Sequence, residues 1–177
     1  MTTSSPRGLR PLNLDRFIET HRHLLKPPVG NKLIWEDGDM MAFVVGGPNR
    51  RTDYHDDPVE EFFFQIEGRM TLRLQHASGE PPEDVPIVTG EMFLLPPHIR
   101  HSPQREAGSV GLVIEPARPP EAVEAFEWYC PRCYALIHRA EVVVTKIDED
   151  LPPIFAAFYR DEQARTCDAC GAVHPTA

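Results

Sequence analysis

Apolar positions in this chain come in short bursts, and only one burst has helical spacing. Leu14, Phe17, Ile18, His21, Leu24 and Leu25 recur at that spacing and Pro27-Pro28 ends the run, so a short helix is predicted over 12–25. From about residue 32 to 115 the pattern changes to brief β-rich runs. These are Lys32–Trp35, Met40–Val45, Glu61–Ile66, Met70–Leu74, Val85–Val88, Met92–Leu95 and Val110–Ile114. Gly, Pro and Asp clusters separate them, and no helix of convincing length interrupts. Many short strands with turn signals between them predict an all-β sandwich or barrel. Pro116 to Pro120 reads as a linker. Beyond it, one strand is predicted over Glu141–Ile147 and a short helix after Pro152-Pro153. That last segment has too few apolar residues to fold comfortably alone.

Composition narrows the classes. The chain has 177 residues, room for one well-cored unit plus a small appendage, and its 19 prolines favour short strands and turns over long helices. The net charge is −9 and no basic stripe occurs, which counts against a nucleic-acid partner. No apolar run approaches the roughly 18 residues of a membrane span. The stretch Met1-Thr2-Thr3-Ser4-Ser5-Pro6-Arg7 lacks the apolar core of a signal peptide, so the expected compartment is the cytoplasm.

The four cysteines form two C-x-x-C pairs, Cys130/Cys133 and Cys167/Cys170. In a reducing compartment such pairs favour metal over disulfides. Four thiolates suit tetrahedral Zn²⁺ or a single iron, and such a staple would supply what a small core cannot.

A second set of ligand types surrounds the turns. His55 ends a β-like run, Asp56-Asp57-Pro58 turns, and Glu61 opens the next strand. Further on, Met92–Leu95 runs into Pro96-Pro97 and then presents His98 and His101. Two imidazoles and one carboxylate are the ligand set of mononuclear non-haem iron(II) oxygenases, which leaves the opposite coordination positions open to substrate and O₂. Spacing alone leaves His98 and His101 in competition. Arg51 lies four residues before His55, Arg105 four after His101, and Glu115 closes the strand Val110–Ile114. In a barrel these can face the metal's cavity, where arginine fits a carboxylate and glutamate accepts from an amine or hydroxyl.

These motifs carry a resemblance. Gly90, Pro96, His98 and His101 fit the cupin pattern G-x5-P-x-G-x2-H with His98 in the usual glycine position, and His55, Glu61 and Gly68 give a cupin-like His-x5-Glu-x6-Gly. The cupin register makes His101 the ligand. The longer runs Gly46–Pro58, Glu60–Phe63, Leu94–Arg105 and Phe126–Cys130 resemble the bacterial 3-hydroxyanthranilate 3,4-dioxygenases, from roughly Leu24 to Pro175. The resemblance implies a cupin (double-stranded β-helix or jelly-roll) barrel over 32–118. It would be preceded by a helix and loop in 1–31 and followed by a rubredoxin-like metal segment in 119–177, all one integrated domain. It implies Fe(II) on His55, Glu61 and His101, with iron or zinc on Cys130, Cys133, Cys167 and Cys170. Arg51 and Arg105 would hold the substrate carboxylate, and Glu115 its amine or hydroxyl. Asn31 would help close the site, and Asp53 would buttress it. The small-molecule partners would be 3-hydroxyanthranilate and O₂, and the assembly a homodimer. The rival readings are another cupin dioxygenase, acting on a thiol or catechol, a non-catalytic cupin that binds a small molecule, and a metal-knuckle interaction or nucleic-acid module centred on 121–177, which the acidic balance counts against.

Overall fold

Alternation along the strands sorts side chains into an inner and an outer face, and these faces define the layers. In the computed structural model, which describes residues 10–27, 30–35, 38–49, 51–145 and 147–176, eleven strands form two antiparallel sheets. They are β1 (Asn31–Leu33), β2 (Met40–Gly46), β3 (Tyr54–Asp56), β4 (Glu61–Glu67), β5 (Arg69–Gln75) and β6 (Glu83–Val88). They continue with β7 (Met92–Leu95), β8 (Arg100–Arg105), β9 (Val110–Pro116), β10 (Glu124–Tyr129) and β11 (Leu136–Val142). One sheet has the order β1-β2-β9-β4-β7 and the other β11-β10-β3-β8-β5-β6. Strands distant in sequence lie side by side, the jelly-roll barrel implied by the cupin resemblance. Phe63, Met70, Leu72, Leu74, Ile87, Leu95 and Val113 fill one end of the barrel. The other end stays hollow.

Helix α1 (Leu14–His21) is capped by Asn13, whose side chain accepts from the Arg16 amide at 2.8 Å. It lays Ile18 against Val44 and Val110 on the outer face of the first sheet. The predicted helix ran to 25, but Arg22–Leu24 tightens into a 3-10 turn. The signal-peptide reading of Met1 to Arg7, and Pro28 at the predicted helix end, fall outside the described residues.

Two expectations beyond residue 120 are corrected. The strand read over Glu141–Ile147 is β11, which stops at Val142 because that residue pairs with Glu124, the first residue of β10. Val144 then turns inward to line the hollow end; Lys146 is outside the described residues. The helix expected after Pro152-Pro153 is α2 (Ile147–Arg160), which starts before the prolines. Each proline forfeits a helical hydrogen bond. Packing of Phe155 and Phe158 against Phe126 and Trp128 offsets that loss. A short helix α3 (Glu162–Arg165) follows. The segment after the linker thus contributes two strands to the second sheet and a helix across the barrel mouth. Among the described residues, no helix is long and apolar enough to cross a membrane.

Candidate metal centre and its cavity

The hollow end is a cavity of about 220 Å³. Strand alternation fills its wall with every second residue: Phe43 and Val45 of β2, Glu61 and Phe63 of β4, His101, Pro103 and Arg105 of β8, Val113 and Glu115 of β9, Glu124 and Phe126 of β10. His55 of β3 pairs directly with His101 of β8. Glu61 reaches them from the facing sheet, with its Oε1 2.8 Å from His101 Nε2 and 3.9 Å from His55 Nδ1. His101 is buried and its Nδ1 lies 2.9 Å from the Ile99 carbonyl; His55 stacks on Phe126 and its Nε2 lies 2.7 Å from Glu124 Oε2.

His98 is elsewhere. Its backbone is left-handed (φ 62°), the conformation glycine would take at that place in the cupin pattern, and its exposed ring lies 3.0 Å from Asp56 Oδ1. The structure therefore brings His101, and not His98, to Glu61.

The triad fits a cation. Despite its closeness to His101, Glu61 Oε1 has no aligned donor and is left buried without a hydrogen bond. A carboxylate oxygen in that condition, facing two imidazoles, matches the donor set for a divalent metal. Burial pushes the Glu61 carboxyl up, but His101 and His55 outweigh it and hold it down at about 2.

The two predicted arginines differ. Arg51 is neutralised by Asp53 at 2.5 Å, and that partner outweighs burial in keeping its charge. Arg105 is buried, and its Nη1 has no hydrogen-bond partner. Burial brings Arg105 down to about 10. Its place is made by Gly111 of β9, where a Cβ would lie 2.7 Å from Arg105 Nη1. Burial pushes Glu115 up to about 7, against the pull of Arg118. Asn31, at the start of β1, lines the same cavity.

Sequence reasoning missed four participants. Asn49 accepts from the Arg105 amide at 2.7 Å and donates to the Pro103 carbonyl at 2.8 Å, pinning β8. In the sequence Asp57 reads as a turn residue and Arg118 as part of a linker, and no signal marks Glu124. A lone arginine among prolines carries no periodic signal.

The pattern of the 3-hydroxyanthranilic acid dioxygenase family matches residues 7–159. The chain belongs to that family. A 3-hydroxyanthranilate 3,4-dioxygenase from Jannaschia sp. (strain CCS1) is 62% identical over 168 residues, which are 94% of this chain and 92% of the relative. The enzyme of the same name from Ruegeria pomeroyi is 60% identical over 94% of this chain and 92% of its own. Among solved structures, a cupin-2 domain protein from Shewanella frigidimarina is 18% identical, with a TM-score of 0.48 over 60% of this chain and 94% of its own.

This member of the 3-hydroxyanthranilic acid dioxygenase family has a second cluster at the far end of β10. Cys130 Sγ and Cys170 Sγ lie 3.5 Å apart, Cys133 Sγ and Cys167 Sγ 3.6 Å. Thiolates around one metal with bonds of ~2.3 Å sit roughly 3.8 Å apart, so the spacing suits an S₄ site. The two knuckles share one geometry. Tyr134 and Gly171 follow the second cysteine of each pair with φ of 60° and 72°, and their amides donate to the Cys130 and Cys167 carbonyls. Burial pushes the Cys130 thiol up, but the Cys133 and Arg132 amides outweigh it and bring it down, which favours the thiolate.

Proposed function

We propose that the chain is a ring-cleaving dioxygenase that converts 3-hydroxyanthranilate and O₂ to 2-amino-3-carboxymuconate semialdehyde, with Fe(II) held by His55, Glu61 and His101. The observation that carries the reading is one cavity holding both that triad and Arg105, a buried guanidinium with an unpartnered Nη1. Membership of the family supports it.

Bound at the triad, Fe(II) would supply coordination for both reactants and a path for electrons between ring and O₂. The chain's own residues do the rest. Arg105 takes the substrate carboxylate, and Arg51, steadied by Asp53, lies on the same wall. Glu115 accepts a hydrogen bond from the amine or hydroxyl that faces it, and Asn31 closes the edge. Phe43, Val45, Phe63 and Val113 flank the ring and exclude water. The C3–C4 bond breaks and both oxygen atoms enter the semialdehyde, whose amine and aldehyde then condense spontaneously, with loss of water, to quinolinate.

Protein loaded anaerobically with Fe(II) should consume about one O₂ per 3-hydroxyanthranilate when air is admitted, with a new near-ultraviolet absorber. No turnover in fully reconstituted protein overturns the reading.

The four cysteines hold a structural metal, zinc or a rubredoxin-like iron, and metal analysis of the purified chain separates the two. The partner protein is a second copy. The outer face of the first sheet carries Phe62, Phe64, Leu112 and Ile114 in its central strands, and Met40, Met92 and Leu94 are more than half exposed beside them. Such an apolar sheet face suits a self-complementary contact. Leu94→Glu should convert a dimer to a monomer in light scattering, and a dimer that persists would move the interface elsewhere.

A further inference from the structure

The connection between β9 and β10 carries a side chain that touches the site on three sides. Arg118 is only 13% exposed at its side chain. Its Nη1 donates to Glu115 Oε1 at 2.9 Å, its Nη2 to Asp57 Oδ2, and its Nε lies 2.8 Å from Glu124 Oε1, off hydrogen-bond alignment. These carboxylates belong to three different elements: the inner end of β9, the turn after β3 and the first residue of β10. Two of them bracket His55. Glu124 Oε2 is 2.7 Å from its Nε2, and Asp57 Oδ2 is 3.8 Å from its Nδ1. Glu124 thus holds the imidazole at Nε2, Asp57 stands beyond hydrogen-bond reach on the Nδ1 side, and both acids rest on one guanidinium.

We infer that Arg118 is a positioning residue for the metal centre, setting the His55 ring through Glu124 and Asp57; this rests on the reading of His55, Glu61 and His101 as ligands. Without Arg118, like charges crowd a buried wall and the two acids flanking His55 part. The ring then loses its fixed orientation, and partners that orient a ligating histidine are worth about ten- to hundred-fold in metal affinity. The fork donates to Glu115 and Asp57 and sets its charge beside Glu124, a spread that the single nitrogen of an ammonium does not reproduce, so lysine does not replace it.

The test is Fe(II) affinity under anaerobic chelator competition, on full-length protein whose four-cysteine site is loaded. Arg118→Gln should bind Fe(II) at the triad about ten- to hundred-fold more weakly, with four-cysteine metal content unchanged. Glu124→Gln should weaken binding as well, and the double variant should be no weaker than the worse single one, because the two act along one path. Should Arg118→Gln lose the four-cysteine metal, and so its fold, Arg118→Lys carries the same comparison. Wild-type affinity in the variant, or fully additive effects, overturns the inference alone. Wild-type protein that takes up no Fe(II) beyond the thiolate site overturns the triad reading and this inference with it.

Discussion

A single methyl group placed at Gly111 tests how the cavity grips its substrate. The Cβ of Gly111→Ala would stand 2.7 Å from Arg105 Nη1 and 3.2 Å from Gln65 Oε1. Ordinary contact begins near 3.4 Å, so the guanidinium must retreat by about 0.7 Å. That movement is easy for the far end of an arginine, and the strand itself favours alanine over glycine, so the fold should hold. On the proposed reading, the retreat instead spoils the bond between Arg105 and the substrate carboxylate. Charge-assisted hydrogen bonds contribute roughly 1.5–3 kcal/mol, so loss of one raises KM by about ten- to hundred-fold. The assay is initial-rate O₂ uptake with 3-hydroxyanthranilate and with 2-aminophenol, which lacks the carboxylate. The variant should lose efficiency only toward the first. Equal losses on both substrates, or none on either, would show that Arg105 does not bind the carboxylate.

Three further outcomes follow from the same geometry. His101→Ala should lose the triad metal while His98→Ala keeps it, read by metal content after dialysis; the reverse result moves the ligand to His98. Glu115→Gln should stabilise the metal-free protein at high pH only. The folded Glu115 carboxyl titrates at about 7 against 4.5 when free, so its folded form is penalised as pH rises from 4.5 to 7. Above that the penalty levels off at about 3 kcal/mol by linkage, and a denaturation series showing no pH-dependent gain would refute the burial argument. Cys133→Ser should release the thiolate metal and lower Tm by more than about 5 °C, the shift that 2 kcal/mol makes in a chain of this size. Unchanged Tm in metal-free protein would deny that site a structural role.

Regular alternation made most of the barrel legible: β2, β4, β5, β7 and β9 were visible as apolar runs with turns between them. Two of the strands that hid, β8 and β10, carry part of the site. β8 reads Arg-His-Ser-Pro-Gln-Arg, polar on both faces and broken by a proline, yet it lies between β3 and β5 in the middle of the sheet. Its inward positions hold His101 and Arg105, polar residues that line the cavity, so the hydrophobic period is absent there. β10 hid for the opposite reason, since all six of its residues are buried and nothing alternates. The ligand types were legible because their spacing brackets turns, whereas Arg118 and Glu124 became visible only when two distant connections met.

The place of β10 between early and late parts of the chain bears on how the protein is made. β3 and β8 can pair as soon as residue 105 has left the ribosome, and Glu61 is already beside them. On the proposed reading of the triad, two imidazoles and a carboxylate are then open to any divalent ion, and the order of intrinsic affinities favours copper and zinc over ferrous iron. The wall beside His55, Glu124 with Phe126 behind it, is synthesised later, and Cys167 and Cys170, which complete the cluster at the end of that strand, later still. On that reading the three ligands stand in the chain before the strand that orients one of them, and a wrong ion can enter before β10 is made.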